Sequence, residues 1–183
     1  MPPKQRITRE MILESAFIMF CKEGMDVVNA RSVAKALGCS TQPIFSYFSG
    51  MQDLKDSLDA KAQEMYAGSV TTLPESENWL VDMLTAHVNF ACEHVHLYNH
   101  LFRSVRQNPS RLSAYSGLFA ALVAHVQKKE NVGEEAAHKL VDEVGIYANG
   151  MINRLQITGF NSTDVNHRIS VAYDIILGHI KNA

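Results

Sequence analysis

The chain has 183 residues, 46% hydrophobic and 20% charged, with a formal net charge of −2. That length can bury one proper core without requiring two independent domains. No apolar run reaches transmembrane length and the N-terminal residues lack the hydrophobic region of a signal peptide, so the sequence reads as cytoplasmic rather than membrane-bound or exported. Cys21, Cys39 and Cys92 are odd in number, far apart and set among apolar neighbours, which excludes a disulfide framework and suits free thiols.

Residues 1 to 7 read as a short basic arm, in which Lys4 and Arg6 either reach DNA phosphates or form a solvated terminus. Thr8 is placed to cap a first helix whose apolar face is Ile12, Leu13, Ala16, Phe17 and Phe20, and Gly24 ends it. Asn29 then caps a short helix with Val33, Ala34 and Leu37 at helical spacing. Ala34 is small enough for a close helix crossing, and Gly38, four residues on, can take the left-handed conformation a tight turn needs. Ser40 is expected to cap a third helix, Thr41 to Phe48, with Pro43 in its first turn and Ile44 and Phe48 pointing to the core. Thr41, Gln42, Phe45 and Ser46 are left facing outward. Residues 29 to 48 therefore read as a helix-turn-helix whose second helix enters a DNA groove, although hairpins of this shape also occur without DNA.

ITREMILESAFIMFCKEG followed by ARSVAKALGCSTQPIFSYFSGMQDL resembles the DNA-binding head of the tetracycline-repressor (TetR) family of bacterial transcription regulators. The resemblance covers residues 7 to about 58 and is carried by Phe20 with Gly24, Arg31, Val33-Ala34, Gly38, Ser40, Tyr47-Phe48 and Leu54. It implies a symmetric dimer on a palindromic double-stranded operator, released by a small-molecule effector. Two positions depart from the family pattern: Phe45 stands where Tyr is common, and Met51 where Lys is common. Both usual residues resemble phosphate contacts, so phosphate binding leans on Asn29, Arg31, Ser40, Tyr47, the arm and helix N-termini. Base reading falls to Thr41 and Gln42: Gln can pair with an adenine edge, Thr can touch a thymine methyl, and Pro43 or Phe45 can add a methyl contact. Up to Phe48 the head carries a charge of +2 and the remainder −4, a weak electrostatic footprint.

Met51 to Tyr66 resumes helical periodicity through Leu54, Leu58, Ala62 and Met65, with charges on the other side. The family resemblance assigns it the role of a lever. Gly68 to Ser76 reads as a loop. Helical segments follow at about 77–94, 98–106, 111–129, 134–158 and 163–181, with no strand alternation. The fold class is thus all-α: a three-helix head over 1–50 and a helical ligand-binding and dimerisation body over 51–183, linked by the helix 51–66. The last two segments are apolar on more than one face. A seam of Val144, Tyr147, Ala148, Met151 and Leu155 with Ile169, Tyr173, Ile176 and Ile180 is expected to face a second copy, the alternative being a hairpin sunk in a monomer core.

Candidate chemistry in the body is sparse. His96 and His100 have the i, i+4 spacing of a metal clamp but lack carboxylate or thiolate company, so neither metal nor cofactor is expected. No nucleophile elbow or HExxH is present, and the chain does not read as an enzyme. Phe90, Phe102, Phe119, Leu122 and Met151 offer apolar wall for an effector. His87, Tyr98, Arg103, Tyr115, Asn149 and Asn153 offer polar points. The rival reading, motivated by Phe45 and Met51, is a helical ligand-sequestering or protein-interaction module with weakened DNA binding.

Overall fold

The computed structural model describes residues 7–103, 109–159 and 164–182, with the side chains of 103 and 109–115 outside the description. Every regular element among the described residues is helical. No described helix is long and apolar enough to cross a membrane. The chain folds into two compact units, one made of the residues up to Met65 with His96–Phe102, the other of Tyr66–Val95 with the residues from Arg103 onward.

The first unit begins with α1 (Arg9–Glu23), where Thr8 Oγ1 accepts the Met11 N–H at 3.2 Å and Ile12, Ala16, Phe17 and Phe20 are buried. Gly24 stops it with φ 93°, a conformation L side chains avoid, while its N–H still reaches the Phe20 carbonyl. After a single tight turn, Met25–Val27, come α2 (Ala30–Ala36) and α3 (Gln42–Tyr47), with Val33, Ala34, Ile44 and Phe48 buried. The α4 helix (Met51–Tyr66) buries Leu54, Leu58 and Ala62 completely. Lys61 pairs with Glu14, Arg9 donates to Ser57 Oγ at 3.1 Å, and Lys61 sits over the Phe17 ring. These ties make α4 up to Met65 part of the same unit as α1.

The α6 helix (Val95–Arg103) contributes its central residues here too. Leu97 is fully buried, His100 Nε2 meets Asp59 Oδ1 at 2.8 Å, and the His100 ring stands edge-on to Phe20 at 5.1 Å. It begins three residues earlier than the sequence suggested, directly after His94 breaks the preceding helix with φ −124°.

The second unit contains α5 (Trp79–Glu93), α7 (Pro109–Glu130), α8 (Glu134–Thr158) and α9 (Val165–Asn182). Its main packing pairs are α7 with α8, α8 with α9, and α5 with both α8 and α9. The expected loop at 68–76 is partly helical. Ala67–Thr71 continue from α4 as one wide turn, closed by the Thr72 N–H on the Ala67 carbonyl at 3.0 Å and pinned by buried Val70. Asn131 (φ 52°) follows the end of α7 and Gly159 (φ 91°) the end of α8.

Candidate functional site

The connection between α2 and α3 is closed by two backbone bonds, from Cys39 N–H to the Ala34 carbonyl at 3.0 Å and from Gly38 N–H to the Lys35 carbonyl at 3.2 Å. This pair of bonds is the Schellman arrangement, with Gly38 at φ 62° as the left-handed residue, so the predicted hinge is present. It turns the chain sharply into α3. Gln42 and Phe45 are exposed there, Phe45 at 52%, while Thr41 and Pro43 are half-buried. Arg31 and Lys35 are exposed on α2.

Several expected contact residues are already engaged. Asn29 Oδ1 accepts from the backbone N–H groups of Arg31 and Ser32 at 3.1 and 3.0 Å, and its amide donates to the Val27 carbonyl at 3.2 Å. Ser32 Oγ returns the favour by accepting the Asn29 N–H, completing a capping box. Ser46 Oγ donates to the Gln42 carbonyl at 3.0 Å, and Tyr47 donates its hydroxyl proton to the Ile7 carbonyl at 3.2 Å. Ser40 is exposed but does not cap α3; Thr41 occupies the cap position with helical dihedrals, and no side chain closes that end. In that first turn Pro43 has no N–H to donate, and the Ile44 and Phe45 N–H groups donate to the Thr41 carbonyl at 3.2 and 3.4 Å. Lys4 and Arg6 lie outside the described residues.

In the second unit the effector residues expected from sequence divide. His87 Nδ1 lies 2.9 Å from Tyr66 Oη, and the Tyr66 ring stands edge-on to His87 and to Phe90 at 5.9 and 5.2 Å. Asn149 also hydrogen-bonds to His87. The Asn149 amide nitrogen also donates to the Gly145 carbonyl at 3.0 Å, which holds the amide on α8. His87 keeps a little open surface but is densely surrounded, and burial pushes its pKa down to about 4 despite the Asn149 bond.

Tyr66 was missed by the sequence analysis, although it continues the α4 stripe of Leu54, Leu58 and Ala62 at the next i+4 step. Phe90 and Leu122 are core, Met151 is buried, Phe119 packs on the His138 ring at 4.8 Å, and Asn153 is exposed. Tyr98 and Phe102 belong to the first unit, where they stack on each other at 4.7 Å. The side chains of Arg103 and Tyr115 lie outside the described residues. No group of three or more His, Cys, Asp or Glu placed to hold a metal occurs among the described residues.

The expected seam for a second copy needs correction. Val144, Ala148, Ile169, Tyr173 and Met151 are buried within the chain, because α8 packs against α5 and α9 along that side. Tyr173 donates its hydroxyl to Glu130 Oε1 at 2.7 Å; burial and that carboxylate raise its pKa. Tyr147 is 40% exposed, and Leu155, Ile176 and Ile180 are half-buried. The apolar side chains left uncovered on α8 and α9 are Ile146, Ile157, Val171 and Ile175, at 63%, 84%, 40% and 67% exposure.

No protein-family model matches the sequence, and a search of curated proteins finds no match. Solved structures do match. A transcriptional regulator from Rhodococcus superposes with a TM-score of 0.66 at 12% identity, covering 94% of this chain and 97% of that one. A putative TetR-family regulator from Mesorhizobium loti gives 0.57 at 16% identity over 94% and 98%. The TetR-family regulator PfmR from Thermus thermophilus gives 0.55 at 18% over 94% and 96%. The fold is the TetR-type regulator fold. Coverage of nearly the whole of each chain extends that likeness beyond the head, the only part in which the sequence resembles the family. Within the TetR-type fold, the α2–turn–α3 segment is the helix-turn-helix.

Proposed function

We propose that the chain is a homodimeric transcriptional repressor that binds a palindromic operator in double-stranded DNA through α2 and α3 and is released by a small-molecule effector held in the second unit. The observation that carries this reading is the Gly38 turn, which presents α3 with Gln42 and Phe45 outward in a TetR-type fold. Gln42 addresses an adenine edge and Phe45 a thymine methyl, while the α3 N-terminus and Arg31 address phosphates. Dimerisation through the uncovered apolar residues of α8 and α9 sets the two heads about one helical turn apart, ~34–36 Å, or a multiple of it. The effector acts by binding one dimer conformation better than the operator-bound one, and by linkage the operator weakens effector binding equally.

Selection of sites from random duplex DNA by the purified protein tests the proposal. The expected product is a palindrome whose half-sites are spaced by a helical turn. With ~4–6 phosphates contacted per dimer, log K should fall against log salt with a slope of about −4 to −5. A second reading, a ligand-sequestering or protein-interaction module with weakened DNA binding, is favoured by the engagement of Asn29, Ser46 and Tyr47 within the head. Gln42→Ala separates the two. In a repressor it removes discrimination at one base pair by about 1–3 kcal/mol; a sequestering module shows no selected site to lose.

A further inference from the structure

A cleft of about 660 Å³ opens in the second unit between the connection leading into α5 and the C-terminal half of α7. One wall carries Glu75 and Glu77; the other carries Ala121 and Ala124, which are too small to fill the space, together with His125 and Lys128. Neighbouring polar groups are committed elsewhere. Ser76 Oγ donates to Asp82 at 2.6 Å, and Lys129 is held by Asn78 at 3.1 Å and by Glu130 at 3.5 Å. Glu130 in turn accepts from Tyr173 and from Lys181. Glu75, Glu77 and Lys128, by contrast, are exposed and have no hydrogen-bond or ion-pair partner among the described residues. His125 packs edge-on against Trp79 at 5.3 Å, and its Nε2, like the Trp79 Nε1, is buried without a partner.

The uncommitted charges define the ligand by complement: two carboxylates from one wall and one ammonium from the other. We propose that this cleft binds a free basic amino acid of the lysine or arginine type, whose two cationic groups face Glu75 and Glu77 and whose carboxylate faces Lys128. The volume lies in the range of small-molecule sites. This site is independent of the DNA reading and stands or falls separately from it.

The test is titration of the full ¹⁵N-labelled protein with L-lysine, L-norleucine, which lacks the side-chain ammonium, and cadaverine, which lacks the carboxylate. Lysine should shift the amides of residues 75–77 and 121–129 saturably, with a dissociation constant of about 1 mM or tighter. Norleucine and cadaverine should each bind about two- to fivefold more weakly. Lys128→Met should erase the advantage of lysine over cadaverine, and Glu75→Gln with Glu77→Gln should erase its advantage over norleucine. All three side chains are exposed, so these variants keep the fold. Absence of saturation, equal binding of the three compounds by the wild-type protein, or variants that bind lysine as the wild type does would each overturn the proposal.

Discussion

Gly38 and His87 show how much a single residue fixes. A Cβ added at Gly38 would meet nothing within 4 Å, so the only obstacle to a side chain is the left-handed backbone at φ 62°. Gly38→Ala should therefore cost about 1–2 kcal/mol in urea unfolding, with the helix-turn-helix otherwise intact. His87 makes a pH prediction. Its pKa falls from 6.5 to about 4 on folding, so between these values the unfolded chain binds the extra proton and stability rises with pH. The contribution is complete above pH 6.5 and is lost as the pH falls toward 4, about 3 kcal/mol in all. Unfolding free energies measured at pH 7 and pH 4.5 should show most of that difference in the wild type. His87→Gln should flatten the slope across the same window.

At the scale of the element, local signals carried the helix boundaries. The helix over 51–66 was readable residue for residue, and Thr8, Asn29, Gly24 and Gly38 stand at the helix ends where their chemistry put them, because a cap or a left-handed turn needs only its immediate neighbours. Asn29→Ala should destabilise the protein by about 1 kcal/mol through the capping box of α2, measured by thermal or urea unfolding. What could not be read was the use of side chains over distance. The same Asn29 that caps α2 was also expected on phosphate, and the Tyr47 hydroxyl expected there is held by a carbonyl forty residues earlier. Which of two apolar faces on α8 is buried likewise depends on α5 and α9, and nothing in the spacing of Val144 or Ile146 distinguishes them. That Tyr66 meets His87 and Phe90 was not legible for the same reason: such contacts are decided by tertiary packing.

Across the whole molecule, the uncovered isoleucines of α8 and α9 make the prediction for assembly. Ile175→Glu, at a residue 67% exposed, should shift sedimentation from dimer to monomer while leaving the unfolding midpoint nearly unchanged. Ile169→Glu, at a fully buried residue on the same helix, should instead unfold the chain, because a carboxylate there has no solvent and no partner. The contrast separates a surface that is apolar for a partner from one that is apolar for the core. The middle of α6 belongs with the residues up to Met65, held by His100 on Asp59 and against Phe20. The first unit is thus discontinuous along the chain. A laboratory chimera that transplants only the first third of the coding sequence leaves Phe20 without the imidazole it packs against, so this unit can be moved intact only when the codons for 96–102 travel too.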